Sequence, residues 1–379
     1  MTLLASHRRY MGLLVVGVLV ALLLSNLIPD PAGRGIWRGG VKPPNAPWYQ
    51  QWHGKLQRLG LYFQDNFGFR ATLPMARREV REAFGSEDIR PIYFGRNGQL
   101  FTTLQQSAEQ SAGILIRKGA VERFTALMAV LQRHLEPLGA KLVVAIPPNA
   151  QSVDLAELPE WQDKYPVPYT EYSMMLDTLK ADGITAVDLR KVLRETPAPR
   201  RYLANDTHWT HKSSVVAFNA TMVAAGHPDW QVNLDEVVGP MEPYGLGDLG
   251  RLLRRAPPLP DENQHLNLKP EQPQLPMPGV TAHHQHRAFD PYVVKYSDQG
   301  PRVIVLGDSF TVGVWTRLFA FTPVSEAAWM HFSSTTFGSC DFNFRDVMRF
   351  RPDLVIVART ERLFPCMKDA WPKGLPFRF

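Results

Sequence analysis

RVIVLGDSF, residues 302–310, combines a continuous apolar run with a polar turn. An apolar run of this length that ends at a glycine predicts a β-strand covered on both faces, as in parallel sheets. A helix is expected next, near residues 312–319, so Ser309 would lie at the carboxyl end of a strand. Ligands of open α/β sheets bind at that edge. The segment therefore predicts both a fold class and the position of a site.

The rest of the chain alternates between helical and strand-like patterns. Residues 118–138 place apolar side chains at three- and four-residue spacing up to Gly139, which predicts an amphipathic helix. Residues 141–146, KLVVAI, predict a buried strand directly after it. The other predicted elements are helices at 170–181, 212–225 and 341–350 and strands at 184–189 and 354–358. This alternation predicts an α/β fold, a parallel sheet with flanking helices.

Composition fits a globular protein with enough apolar residues for a core. The 379 residues are 45% hydrophobic and 21% charged, which argues against wholesale disorder and against a multi-span membrane protein. The net charge of +6 is spread along the chain without the basic blocks of a nucleic-acid-binding protein. The chain has no Walker motif, no GxGxxG after a strand and no HExxH, so neither a nucleotide nor a metal cofactor is expected.

The N-terminus carries a membrane-targeting pattern. After two arginines, residues 11–28 are almost entirely apolar. About 18 residues at 1.5 Å each span roughly 27 Å, just enough for a bilayer core of about 30 Å. We expect a transmembrane signal anchor at residues 1–29, in the bacterial inner membrane, with the residues that follow in the periplasm. A cleaved signal peptide, for which the site ending at Ala32 is poor, and a buried core helix are the alternatives.

Three segments follow from these patterns. The anchor at 1–29 precedes a Pro- and Gly-rich tether and linker at 30–59 and a folded domain at 60–379. Within that domain, a Pro-rich insertion is expected at about 240–300, because Pro240 to Pro291 contain ten prolines and little periodicity.

Ser309 is the first residue suited to chemistry. At a strand-to-helix turn its hydroxyl is exposed beside backbone N–H groups that can stabilise an oxyanion, so it is a candidate nucleophile. The alternative is that Asp308 and Ser309 only cap the following helix.

Asp206-Thr207-His208-Trp209 supplies a second chemical element. In an extended segment, side chains two residues apart share a face, so the Asp206 carboxylate can orient the His208 imidazole. A metal-binding pair or an ordinary turn is the alternative. Together with Ser309, however, these residues supply the nucleophile, the base and the orienting acid of an acyl-transfer site.

The order of these motifs resembles the alginate and cellulose O-acetyltransferases of the SGNH (GDSL-like) hydrolase superfamily. In ordinary GDSL esterases the acid and base follow the serine. Here DTHW at 206–209 precedes GDSF at 307–310, which matches the permuted order of the acetyltransferases. Further similar motifs, within roughly residues 60 to 365, are DNFGFR at 65–70, FGRNGQLF at 94–101, PPN at 147–149 and PDLVIVARTERL at 352–363.

The resemblance implies an SGNH-like fold with Ser309 as nucleophile, His208 as base and Asp206 as the acid that orients it. It also implies a periplasmic site, a polysaccharide acceptor and a membrane-bound O-acyltransferase that delivers the acetyl group.

Two departures from the family pattern affect the predicted site. Ala150 stands where many relatives have a lysine, and no asparagine follows the last strand to complete an oxyanion hole. Arg359 or Arg362 is a candidate replacement, and Gly338 is a further oxyanion candidate. Candidate substrate contacts are Trp209, Tyr244, Arg254 and Arg255.

Two other functions stay open from the sequence. An acetyl esterase would use the same three residues and transfer the acetyl group to water. A non-catalytic glycan-binding scaffold of an export complex would need only exposed aromatic residues, and the intact set of Asp206, His208 and Ser309 argues against it.

Cys340 and Cys366 are the two cysteines of the chain. The predicted helix at 341–350 leads back to the strand at 354–358, so both cysteines are expected at one edge of the sheet. We expect them to form a disulfide in an oxidising periplasm, with two buried free thiols as the alternative.

Overall fold

The computed structural model describes residues 10–20, 52, 56, 91–160, 169–253, 259–280, 286–333 and 339–367. The chain divides into two units, Met1–Arg90 and Pro91–Phe379. In the first unit, residues 10–20 are helical. No helix within the described residues has both the length and the apolar character needed to cross a bilayer. Most of the predicted anchor and tether, and the motif at 65–70, lie outside the described residues.

The second unit alternates strands and helices. Its described strands are β1 (Ile92–Phe94), β2 (Leu100–Thr102), β3 (Lys141–Val144), β4 (Thr185–Ala186), β5 (Val238–Pro243), β6 (Glu262–Leu266), β7 (Leu275–Pro276), β8 (Tyr292–Lys295), β9 (Arg302–Gly307), β10 (Glu326–His331) and β11 (Leu354–Ala358). Its described α-helices are α1 (Ser107–Ser111), α2 (Lys118–Leu135), α3 (Glu171–Ala181), α4 (Leu189–Glu195), α5 (His211–Ala224), α6 (Leu234–Val237), α7 (Trp315–Leu318) and α8 (Phe344–Phe350).

A seven-stranded sheet in the order β4-β3-β11-β9-β10-β8-β7 forms the centre of this unit. The first five of these strands pair in parallel, as predicted. At the other edge β8 is antiparallel to β10 and β7 is antiparallel to β8, so the sheet is mixed rather than purely parallel. Strand β10 lies between β8 and β9 in the sheet, and the connection from β8 to β9 is too short to return to the opposite end of the sheet. Strand β8 therefore runs antiparallel to β9 and to its neighbour β10.

The central strands are buried on both faces. In β9, Val303 and Val305 contribute to the core on one face of the sheet, and Ile304 and Leu306 contribute to the core on the other face. Helix α5 packs on the first face and α2 on the second. This burial explains why the strand sequence is continuously apolar instead of alternating.

Three predicted elements are shorter in the structure. The strand predicted at 184–189 ends early because Asp188 caps α4, its side chain accepting hydrogen bonds from the backbone of Arg190 and Lys191. The helix predicted at 312–319 begins only at Trp315, since Gly313 has a left-handed φ of 74°. The helix predicted from 341 begins at Phe344, after the cap Asn343.

The Pro-rich insertion contains more regular structure than its sequence predicts. Strands β5 and β6 form an antiparallel pair with a register shift between Val238 and Met241, and β7 and β8 join the central sheet. Each strand of a two-stranded ribbon has one unpaired edge, where a proline without an N–H group is tolerated. Strand β5 contains Pro240 and Pro243, and β7 contains Pro276, so neither segment has the sequence pattern of a strand.

Cys340 and Cys366 are joined by a disulfide in the structure, with their Cα atoms 5.8 Å apart. Both residues are fully buried in the core on the α2 side of the sheet. Cys366 follows β11, and its backbone N–H donates to the carbonyl of Ala120 in α2. The bridge thus ties the chain after the last strand to the segment between β10 and α8.

Replacing both Cys340 and Cys366 by serine is expected to lower the free energy of unfolding by about 3 kcal/mol. The reason is that the bridge closes a loop with a sequence separation of 26 residues, which restricts the unfolded chain. Urea unfolding of the wild-type and doubly substituted chains measures the difference. If the unreduced, denatured protein takes up two alkyl groups in an intact-mass experiment, the bridge is absent and the prediction is wrong.

Candidate active site

Ser309 lies in the turn that directly follows β9. The preceding Asp308 is buried, and one of its carboxylate oxygens accepts a 3.1 Å hydrogen bond from the backbone of Phe310. The other oxygen accepts from the backbone N–H of Thr360 at 2.7 Å and from its hydroxyl at 2.5 Å. Asp308 therefore fixes the turn against the end of β11 and leaves the partly exposed Ser309 at the carboxyl edge of the sheet.

His208 contacts both Ser309 and Asp206. Its Nε2 lies 2.9 Å from Ser309 Oγ, and its Nδ1 lies 2.6 Å from Asp206 Oδ1. The three side chains thus form a continuous hydrogen-bonded chain, as the sequence predicts. They come from two loops that are a hundred residues apart and meet at the same edge of the sheet.

The local geometry of Asp206 and His208 differs from the predicted extended segment. The Asp206 Oδ1 atom also accepts a 2.9 Å hydrogen bond from the backbone N–H of His208, so the segment forms a tight turn. An antiparallel bridge between Tyr202 and Trp209 closes this loop. The carboxylate meets the imidazole because it reaches over a turn, and the prediction of a shared strand face is wrong.

Hydrogen bonds keep the Asp206 carboxylate ionised. Burial by itself raises the pKa of Asp206, but the bonds from His208 and from the Asp248 backbone outweigh burial and hold that pKa below its ordinary value of 3.8. An ionised carboxylate only accepts hydrogen bonds, so the proton of the neutral imidazole belongs on Nδ1. Nε2 then presents its lone pair to Ser309 Oγ, which is the arrangement of a general base.

Aromatic side chains support the imidazole. The ring of Phe310 lies 4.7 Å from the ring of His208, centroid to centroid. Trp209, a predicted substrate contact, is 4% exposed, and its indole N–H donates to the carbonyl of Phe310. It also stacks against the buried Trp315. Trp209 therefore supports the turn that carries Ser309 and presents little surface to a substrate.

The two candidate arginines have different surroundings. Arg359 is 1% exposed, and its Nη1 atom donates to Cys340 Sγ at 2.9 Å. Burial lowers the pKa of Arg359 to about 9, although Asp308 and Asp341 favour its charged form. The guanidinium of Arg362 instead lies 5.5 Å from the ring centre of Phe310, whose ring also packs against His208, and burial lowers the pKa of Arg362 as well. Of the two, Arg362 is the better placed to act on bound substrate.

Among the other predicted contacts, Tyr244 is 47% exposed on the loop after β5. Its ring lies 6.1 Å from that of His211 at the start of α5. Gly338, Arg254 and Arg255 lie outside the described residues.

Asp248 is a site residue that the sequence analysis missed. Its backbone N–H donates to Asp206 Oδ2 at 3.0 Å, and its carboxylate accepts from the backbone and the hydroxyl of Thr207 at 2.8 and 2.6 Å. One ligand atom from each of Asp206, His208 and Asp248 lies within 4.8 Å of the others, a spacing that a metal ion would also use. Each oxygen of the Asp206 and Asp248 carboxylates accepts a hydrogen bond from an N–H or O–H group. The two carboxylates are therefore part of a hydrogen-bonded network.

Solved structures of three bacterial proteins are similar to this chain. Bacillus cereus PatB1 is 11% identical, with 73% of this chain and 97% of that chain covered and a TM-score of 0.52. The O-acetyltransferase domain of Pseudomonas putida AlgJ is 18% identical, with 74% and 95% covered and a TM-score of 0.47. Pseudomonas aeruginosa AlgX is 13% identical, with 74% and 64% covered and a TM-score of 0.45. The likeness to PatB1 shows a shared fold.

A search of curated protein sequences found no significant match. A family model does match. It describes the SGNH hydrolase-like domain of acetyltransferase AlgX and covers residues 92–320, more than half of the chain. The matched range runs from β1 past α7 and includes Asp206, His208 and Ser309. The chain belongs to the family of SGNH hydrolase-like acetyltransferases represented by AlgX.

Proposed function

We propose that this acetyltransferase carries its acetyl group on Ser309 and transfers it to hydroxyl groups of an exported polysaccharide. The observation that carries the proposal is the placement of His208, with Nδ1 on an ionised carboxylate and Nε2 on the serine hydroxyl. The resemblance of the DTHW and GDSF motifs to the alginate and cellulose O-acetyltransferases supports the choice of acceptor.

In the first half of the reaction, His208 Nε2 takes the proton of Ser309 as Oγ attacks the acetyl carbonyl carbon. Asp206 stabilises the imidazolium that forms, and the backbone N–H of Ser309 would donate to the oxyanion. The imidazolium then gives its proton to the leaving group of the donor. The product is an ester between the acetyl group and Ser309.

In the second half, Nε2 takes the proton of a sugar hydroxyl, and that oxygen attacks the ester carbonyl. The tetrahedral intermediate collapses, the acetyl–Oγ bond breaks, and the proton on Nε2 returns to Ser309. The sugar leaves as its acetyl ester and the enzyme is restored. Water in place of the sugar gives an esterase, so the acceptor alone separates these two functions.

The proposed location is the periplasmic face of a bacterial inner membrane, with a single membrane-spanning segment at residues 1–29. The apolar run at 11–28 supports the anchor. The disulfide supports an oxidising compartment, because cytosolic thiols are kept reduced. In that location a membrane-bound O-acyltransferase would deliver the acetyl group.

The proposal is tested with the full-length chain, a chromogenic acetyl ester as donor and glycan oligomers as acceptors. We expect the oligomers to gain acetyl groups, detected by mass, and to accelerate release of the chromophore. Ser309→Ala is the control for both signals. Release of the chromophore with no acetylated glycan, over a panel of neutral and acidic oligomers, would favour the esterase instead.

Changing Arg254 and Arg255 to alanine is expected to raise the KM for the glycan acceptor without changing hydrolysis of the small acetyl ester. The insertion that carries them reaches the site, since the backbone N–H of Gly250 donates to the carbonyl of Asn205, next to Asp206. Steady-state kinetics with the two substrates separate the roles. Equal losses with both substrates would indicate that the arginines only maintain the structure.

A further inference from the structure

We propose that residues 247–250 of the insertion form a clamp that positions Asp206 for catalysis, with Gly247 and Asp248 as its positioning residues. The inference rests on the catalytic roles proposed above for Asp206 and His208. It gives the insertion a part in the chemistry in addition to any contact with the acceptor.

The first contact of the clamp fixes the rotation of the Asp206 carboxylate. Oδ1 accepts both N–H groups of His208, and Oδ2 accepts the backbone N–H of Asp248 at 3.0 Å. A carboxylate held at only one oxygen can rotate about the bond to Cβ. The donor on Oδ2 comes from 42 residues further along the chain and removes that freedom.

The second contact is reciprocal. The Asp248 carboxylate accepts from the backbone N–H and the hydroxyl of Thr207, which lies between the proposed acid and the proposed base. Asp206 and Asp248 thus each accept hydrogen bonds from the other's segment. This pairing holds the turn of residues 206–208 at its first two residues, Asp206 and Thr207.

The third contact is steric. A Cβ atom on Gly247 would lie 2.3 Å from the carbonyl oxygen of Asn205 and 2.6 Å from Asp206 Cβ. Real Cβ atoms do not approach backbone this closely, and the neighbouring backbone has no flexible end that can move aside. Glycine at 247 therefore allows the insertion to lie directly against the residue that carries the proposed acid.

Further contacts hold Asn205, the residue directly before Asp206. The carboxylate of Asp261, just before β6, accepts from the backbone N–H of Asn205 at 3.1 and 3.2 Å. The Asn205 side chain donates to the carbonyl of Leu259 at 2.6 Å. The insertion thus holds Asn205 from the segment before β6 as well as from residues 247–250.

The test compares Gly247→Ala with Gly245→Ala in the full-length chain. Gly245 is the matched control because a Cβ there meets nothing within 4 Å. With a chromogenic acetyl ester we expect Gly247→Ala to lower kcat about 100-fold, the cost of misplacing a catalytic group by about 1 Å, with little change in KM. Gly245→Ala should keep the wild-type kcat.

A second measurement reports on the hydrogen bond between His208 Nδ1 and Asp206. The proton that His208 Nδ1 shares with Asp206 should give a far-downfield proton resonance in the wild-type protein and in Gly245→Ala. We expect folded Gly247→Ala, measured well below its unfolding transition, to lose it, although the steric contact also lowers the thermal unfolding temperature. A merely structural role would lower the unfolding temperature and leave the resonance of the folded protein in place.

If Gly247→Ala does not fold, Asp248→Ala provides the test. Asp248 is exposed, so removing its side chain should leave the core intact. We expect it to weaken the downfield resonance and to lower kcat about 10-fold. A wild-type resonance and kcat in both variants, or in Asp248→Ala alone if the other does not fold, overturns the clamp. Loss of the resonance with an unchanged kcat supports the clamp and overturns the proposed roles of Asp206 and His208.

Discussion

Ser309→Ala is expected to lower acetyl transfer by about four orders of magnitude or more while the fold stays intact. The change removes one oxygen atom from a partly exposed turn, and that oxygen contacts His208 Nε2. Asp308, which holds the turn against β11, keeps its contacts with Phe310 and Thr360. The loss should therefore be in kcat, since the acyl-enzyme cannot form, and not in the stability of the domain.

The measurement is twofold. Turnover of an acetyl ester gives the rate, and mass spectrometry of a quenched reaction shows whether a peptide containing residue 309 carries an acetyl group. Ser297→Ala is the control, because Ser297 is an exposed serine on the connection from β8 to β9. A Ser309→Ala enzyme that acetylates glycan at a near wild-type rate would falsify the nucleophile assignment and with it the mechanism.

The part of the fold that could be predicted from sequence is the part where local pattern and burial agree. Residues 303–306 and 354–358 are apolar throughout because both faces of each strand are covered, so they could be recognised as central strands. Helix α2 has an apolar side that packs on the sheet, and the 3₁₀ turn that follows it, Glu136–Leu138, ends at Gly139, whose φ is 66°. Boundaries set by single side chains, such as the caps Asp188 and Asn343, were less visible.

The candidate site was predictable to the extent that its chemistry lies in short motifs. Asp206 and His208 lie in the motif DTHW and Ser309 lies in the motif GDSF, and these motifs indicate the proposed roles of the three residues. Asp248 and Gly247 are not, since an aspartate beside a glycine in a Pro-rich stretch is typical of any loop. Their role depends on a contact across more than 40 residues, and no periodicity in the chain encodes that distance.

Asp206→Asn is expected to lower kcat about 10⁴-fold while the chain still folds. Asp206 accepts three N–H groups, two from His208 and one from Asp248. An asparagine has one oxygen and one NH₂ group in place of the two carboxylate oxygens. If the oxygen faces His208, the NH₂ group opposes the Asp248 N–H. If the NH₂ group faces His208, the imidazole must accept at Nδ1 and carry its proton on Nε2, where it can no longer accept the proton of Ser309.

Stability and activity should respond differently to pH in this variant. The pKa of Asp206 is lowered in the folded protein, so its ionised form contributes stability above the ordinary value of 3.8, and that contribution is lost as pH falls through the lower folded-state value. Urea unfolding should therefore show a deficit for Asp206→Asn at neutral pH that shrinks in acid. The deficit in kcat should persist at every pH where the wild-type enzyme is active.

Asp235→Asn, the same substitution at an exposed position on α6, is the control and should show neither deficit. A kcat within 10-fold of wild type for Asp206→Asn would mean that His208 does not need the carboxylate to act as the base.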